Sequence, residues 1–133
     1  MGASAQYSQA STNAKAISTQ LGDAELTFTG HSLGGGEAAL NAYATGRNAI
    51  TFNPAGLSDD TIKKYAGSQN PSSNVDAYIM RTDPLNYLQL TTPLPNPNGT
   101  IHYQSSTSPR ALFNGHSMNN FLDIFGISSL SNK

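Results

Sequence analysis

The segment Thr29-Gly30-His31-Ser32-Leu33-Gly34-Gly35-Gly36 holds the residue types and spacing that chemistry can use. Gly30-x-Ser32-x-Gly34 has the form of a nucleophile elbow, a serine on a strained turn between a strand and a helix. Glycines two positions to either side let strand and helix approach, and His31 and Leu33 occupy the places between. The helix N-terminus beyond the serine favours developing negative charge. The backbone N–H of Leu33 becomes one donor to an oxyanion. Such a serine needs a base to take its proton and a carboxylate to orient that base.

Behind an elbow of this kind the chain order is serine, acid, histidine. His102 and His116 both follow Ser32. His116 is the better base, because it lies in a loop (Asn114-Gly115-His116-Ser117) before a final helix, whereas His102 falls inside an apparent strand. His31 precedes the nucleophile and reads as packing. For the acid, Asp83 ends the third strand and is held by Pro84, and functional groups of open α/β sheets gather at such strand ends. Asp76 opens the same strand, Asp59 and Asp60 suit a helix first turn, and Asp123 reads as a solvated helix residue. The three histidines lack the spacing of metal ligands, so no metal is expected, and a serine triad needs no cofactor.

The elements that must position these groups follow from local pattern. Ala3–Leu21 carries Ala14, Ile17 and Leu21 at helical spacing, with Gly22 as a stop. Residues 25–29 alternate as a strand, 30–36 form a glycine-dense turn, and 37–44 are strong helix formers ended by Gly46. Residues 49–53 form a second strand stopped by Pro54 and Gly56. Ser58 is an N-cap for a short helix over Asp59–Tyr65, and Val75–Met80 is a third strand. Residues 94–99 turn, 100–103 are short and β-like, and 117–125 carry Met118, Phe121, Leu122 and Phe125 at helical spacing. Strands alternating with helices predict an α/β domain with a mostly parallel sheet flanked by helices.

The 133 residues suit a single catalytic domain, residues 1–133. Charged residues make up 11%, against roughly 25% in an average globular chain, and the formal charge is −1. That balance argues against nucleic-acid binding. The absence of cysteine removes disulfides, thiolate catalysis and cysteine zinc sites together. The first residues are small and polar, unlike a secretory signal. No stretch approaches the roughly 20 apolar residues of a membrane helix.

Together these segments resemble the class 3 lipases: residues 27–35 their elbow, residues 50–56 the strand after it, Arg81-Thr82-Asp83-Pro84 their acid turn, and residues 114–118 their terminal histidine loop. Gly34-Gly35-Gly36-Glu37-Ala38-Ala39-Leu40, with Phe52-Asn53-Pro54-Ala55-Gly56-Leu57, is similar to lipase-like domains at the ends of bacterial polymorphic toxins. The resemblance implies hydrolysis of lipid or phospholipid esters by a Ser32–His116–Asp83 triad, in a domain exported as part of a larger effector. With only 31 residues before Ser32, it also implies a partial, N-terminally short α/β-hydrolase that lacks the upstream strands and their second oxyanion donor. A longer parent protein, a homodimer completing the sheet, or a half-built hole would each account for that. An inactive module binding lipid or an inhibitor (immunity) protein, and an acyltransferase or peptidase, are the other readings. Leu85, Tyr87, Leu88 and Leu90 suit either an acyl-chain lining or the core.

Overall fold

Helix propensity, capping and strand alternation divide the chain into α1 (Ala3–Leu21), β1 (Thr27–His31), α2 (Leu33–Thr45), β2 (Asn48–Phe52), α3 (Asp59–Tyr65), β3 (Val75–Met80) and β4 (Thr100–Gln104). The computed structural model describes residues 3–81, 89, 94–105, 118 and 121. The expected helix over 117–125 lies outside them apart from Met118 and Phe121.

The short helix α3 shows the local rules at work. The Ser58 hydroxyl oxygen accepts the N–H of Thr61 at 3.2 Å. Asp59 and Asp60 occupy the first turn and Lys63 and Lys64 the last, each sign opposing its end of the helix dipole. β1 lies two residues later than its alternation predicts, because Gly30 and His31 stay in the ladder opposite Thr51 and Phe52. α2 begins at Leu33 rather than at residue 37, so the expected glycine-dense turn is instead the helix's first turn. Glycine costs a helix about 1 kcal/mol relative to alanine, so something other than helix propensity requires glycine here.

The four strands form one all-parallel sheet in the order β1-β2-β3-β4. The fold is therefore α/β, with helices α2 and α3 forming the crossovers between successive parallel strands. α2 packs on β1 and β2, and α1 lies against α2. Ala38, Ala42 and Leu40 of α2 meet Ala49 of β2 and Val75 of β3 in a core that also takes in Tyr7, Tyr43, Leu57 and Ile62. Small residues at this contact let helix and sheet come close. The opposite face carries a row of rings across three strands. Phe52 stacks on Tyr78 at 5.8 Å between centroids and Tyr78 on His102 at 4.7 Å, while Phe121 meets Phe52 edge-on at 5.1 Å. Among the described residues no helix is long and apolar enough to cross a membrane.

Arg47, in the turn after α2, anchors the far end of α1. Its guanidinium donates to the main-chain oxygens of Ser18, Gly22 and Ala24 and to the Ser18 hydroxyl. These bonds tie the last turn of α1 and the turn after it to the start of β2, adding to the Gly22 N–H that Ser18 O also accepts. Arg47→Ala is expected to lower unfolding stability by about 2 kcal/mol in urea denaturation. Arg47→Lys should recover less than half, since an ammonium lacks the planar fork. An unchanged midpoint in Arg47→Ala would contradict this anchoring.

Candidate active site

β1 ends at His31 and α2 begins at Leu33, so Ser32 alone turns the chain from strand to helix. It does so at φ 58 and ψ −123, in a region that disfavours any residue with a Cβ and costs of order 1–3 kcal/mol. Main-chain bonds hold it there. The Ser32 N–H donates to Phe52 O at 3.1 Å, and its carbonyl accepts from Gly35, Gly36 and Ala55 at 3.0, 3.2 and 2.8 Å. A serine preceding a helix ordinarily caps the first turn with its hydroxyl. The Ser32 side chain makes no such bond.

Packing around the turn explains the glycines one by one. A Cβ on Gly30 would lie 2.1 Å from the carbonyl oxygen of Gly34. On Gly35 it would meet Pro54 Cβ at 2.8 Å, and on Gly36 the carbonyl oxygen of Ala55 at 2.9 Å. At Gly34 it would meet nothing within 4 Å among the described residues. Among the described residues the close approach of strand and helix thus falls on Gly30 rather than on Gly34. The crowding comes from the Gly34 carbonyl pressing on Gly30, so smallness is required at residues 30, 35 and 36.

The loop after β2 is the wall against which this turn is built. Asn53, 1% exposed, takes a left-handed φ of 42, and its side-chain oxygen accepts the N–H of Met80 at 2.8 Å. Gln89 accepts the N–H of Gly56 at 3.0 Å, and Asn98 that of Leu57 at 2.8 Å. Sequence reasoning passed over these three amides. Asn before Pro54-Ala55-Gly56 was the available signal at residue 53, since asparagine is one of the few side chains that tolerate the left-handed region. Nothing local marks Gln89 or Asn98, whose partners lie 33 and 41 residues away.

Leu33 is the first residue of α2, so its N–H has no intrahelical acceptor. The first turn carries no acidic residue to offset the positive end of the dipole. Behind the turn, beside Gly36, burial and then the charge of Glu37 raise the Tyr7 hydroxyl above its usual range.

Asp83 and His116 lie outside the described residues, as do Leu85, Tyr87, Leu88 and Leu90. His102 and Asp76 are described, and they bond each other: Nε2 to Oδ1 at 2.9 Å. With β4 three strands from β1, His102 stands about 14 Å from the Ser32 strand at the usual interstrand spacing. The structure therefore brings His102 to Asp76 and not to the serine turn. His31 is half-buried, and strand alternation puts it on the sheet face that carries Phe52. A polar cleft of about 530 Å³ lined by Tyr43, Asn70, Ser73, Asp76 and Thr100 opens where β3 and β4 begin, at the other end of the sheet from Ser32. Among the described residues no three His, Cys, Asp or Glu side chains group as metal ligands.

Residues 1–118 match the phospholipase-like family described as a Tle-like phospholipase domain. The chain belongs to that family. A 59-residue stretch is also 54% identical to the extracellular phospholipase A1 of Serratia liquefaciens, over 44% of this chain and 18% of that protein. The matched stretch is thus a small part of that relative's length.

Two stability measurements on this phospholipase-like domain follow from the crowding and from the strain. Gly30→Ala is expected to cost about 3 kcal/mol or more, while Gly34→Ala should be neutral or stabilising by up to about 1 kcal/mol. Equal costs at the two sites would contradict the packing described. Ser32→Gly should be more stable than Ser32→Ala by about 1 kcal/mol in thermal unfolding, because glycine relieves the positive φ; the reverse order would deny the strain.

Proposed function

We propose that this domain hydrolyses carboxylic esters of phospholipids through Ser32, His116 and Asp83. The observation that carries the reading is a serine held at φ 58 between a parallel strand and the first turn of a 13-residue helix, in a chain of phospholipase-like family. Ser32 Oγ attacks the ester carbonyl carbon while His116 takes its proton. The oxyanion forms beside the Leu33 N–H, and Asp83 orients His116 and stabilises its charged form. Collapse returns the proton to the departing alcohol, leaving an acyl-serine. Water activated by His116 then releases the fatty acid. Release of a fatty acid by A-type cleavage is supported by the name of the Serratia relative, a phospholipase A1. An exported effector role is supported by the resemblance to toxin-terminal domains.

β1 pairs with β2 alone among the described residues, and an open edge accepts a further strand. A strand added there, from the same protein or a second copy, is the proposed source of the second oxyanion donor. Losing one such donor costs on the order of 10²–10³ in turnover.

The test is fatty-acid release from phosphatidylcholine and phosphatidylglycerol vesicles, beside a triacylglycerol emulsion. Ser32→Ala and His116→Ala should each lower release by about 10⁴-fold or more, and Asp83→Ala by somewhat less. His102→Ala should leave turnover within about threefold, because a residue remote from the chemistry changes little. Unchanged release in Ser32→Ala sinks the proposal, and loss in His102→Ala with retention in His116→Ala would reassign the base.

A further inference from the structure

Asn53 stands where β2 leaves the sheet. Its N–H still bonds Tyr78 O at 2.8 Å, the last rung that the main chain of β2 supplies. A parallel ladder carried one step further would give the N–H of Met80 to the main-chain carbonyl of residue 53. The left-handed φ of 42 turns the chain off the ladder there, and the side-chain oxygen of Asn53 takes that N–H at 2.8 Å. The amide thus serves as an additional rung, fully buried between two strand ends.

Those two ends carry the chemistry. On one side, the Ser32 N–H bonds Phe52 O and the Ala55 N–H bonds Ser32 O, so the residues flanking Asn53 grip the serine turn. On the other, Met80 is the last residue of β3, and Asp83 follows three positions later in sequence. Few side chains tolerate the left-handed backbone, and of those asparagine and aspartate carry an oxygen that can accept the Met80 N–H.

We propose that Asn53 is a positioning residue that sets the spacing between the Ser32 turn and the end of β3 leading to Asp83. The proposal rests on the Ser32–His116–Asp83 reading above. Asn53→Gly keeps the turn and deletes the rung. Asn53→Asp keeps both the turn and the oxygen.

The test measures turnover of a short p-nitrophenyl ester by the full chain, per site titrated with a fluorophosphonate, so that misfolded molecules do not count. Displacement of a catalytic group by about 1 Å costs up to 10²-fold, so Asn53→Gly should lose about 10–100-fold in kcat. Its KM should stay within about twofold, the pattern of an interaction made only in the transition state. Asn53→Asp should recover most of the loss. A glycine variant with wild-type kcat per titrated site and only a lower melting temperature overturns the proposal, since that is a purely structural role. So does a folded aspartate variant as impaired as the glycine one. If Asn53→Gly does not fold, Asn53→Asp decides alone: kcat within about threefold of wild type supports the rung, and a larger loss in folded protein overturns it. A wild-type chain that hydrolyses the ester with Ser32 unlabelled overturns the serine reading itself, and this proposal with it.

Discussion

One residue turns this chain from a parallel strand into a helix, and most of the site's architecture follows from that constraint. With His31 still in the sheet and Leu33 already helical, Ser32 must adopt a backbone that side chains disfavour. The strand's penultimate residue is driven onto the helix's first carbonyls. Glycine at residues 30, 35 and 36 is the steric consequence, and each gives up helix or strand propensity to allow the approach. Bonds from the neighbouring β2 strand and its loop hold the turn against its own strain. The serine is then presented at the end of the sheet and at the positive end of a helix, where an attacking oxygen and a developing anion are both favoured.

The loop after β2 shows how such strain is offset. Residues 53–57 form no regular element, yet the side-chain amides of Asn53 within the loop, Gln89 and Asn98 accept the N–H groups of Met80, Gly56 and Leu57. Irregular backbone that is buried must find such partners. Side-chain acceptors leave the loop's geometry independent of any further strand. The loop can therefore lie flat against Gly35 and Gly36 while β2 and β3 continue to pair beneath it.

Much of the fold was legible in the sequence wherever the signal was local. α3 and β3 lie at their expected bounds because a serine cap, paired end charges and a β-branched start are all read from neighbouring residues. The larger boundary shifts cluster at the serine turn, while β2 starts and ends one residue before the expected 49–53 and β4 runs one residue beyond 103. Glycines there read as a loop, yet they are helical because packing against Pro54 and Ala55 outweighs their propensity. The amide braces were invisible for the opposite reason: each joins residues far apart in the chain. The Asp76–His102 pair was likewise unforeseen as a pair, since it depends on the register that sets Asp76 beside Thr100 and Tyr78 beside His102. Strand order then separates that pair from the serine, which chain order alone does not reveal.

Reactivity at a single serine is the most direct check on the central claim, that this turn exists to present a nucleophile. The folded protein would be treated with a fluorophosphonate, digested, and the modified peptide mapped by mass spectrometry. The account predicts one stoichiometric adduct, on Ser32, that heat-unfolded protein does not form. Adducts scattered over several serines, or none in a folded chain with its partner strand supplied, would contradict it.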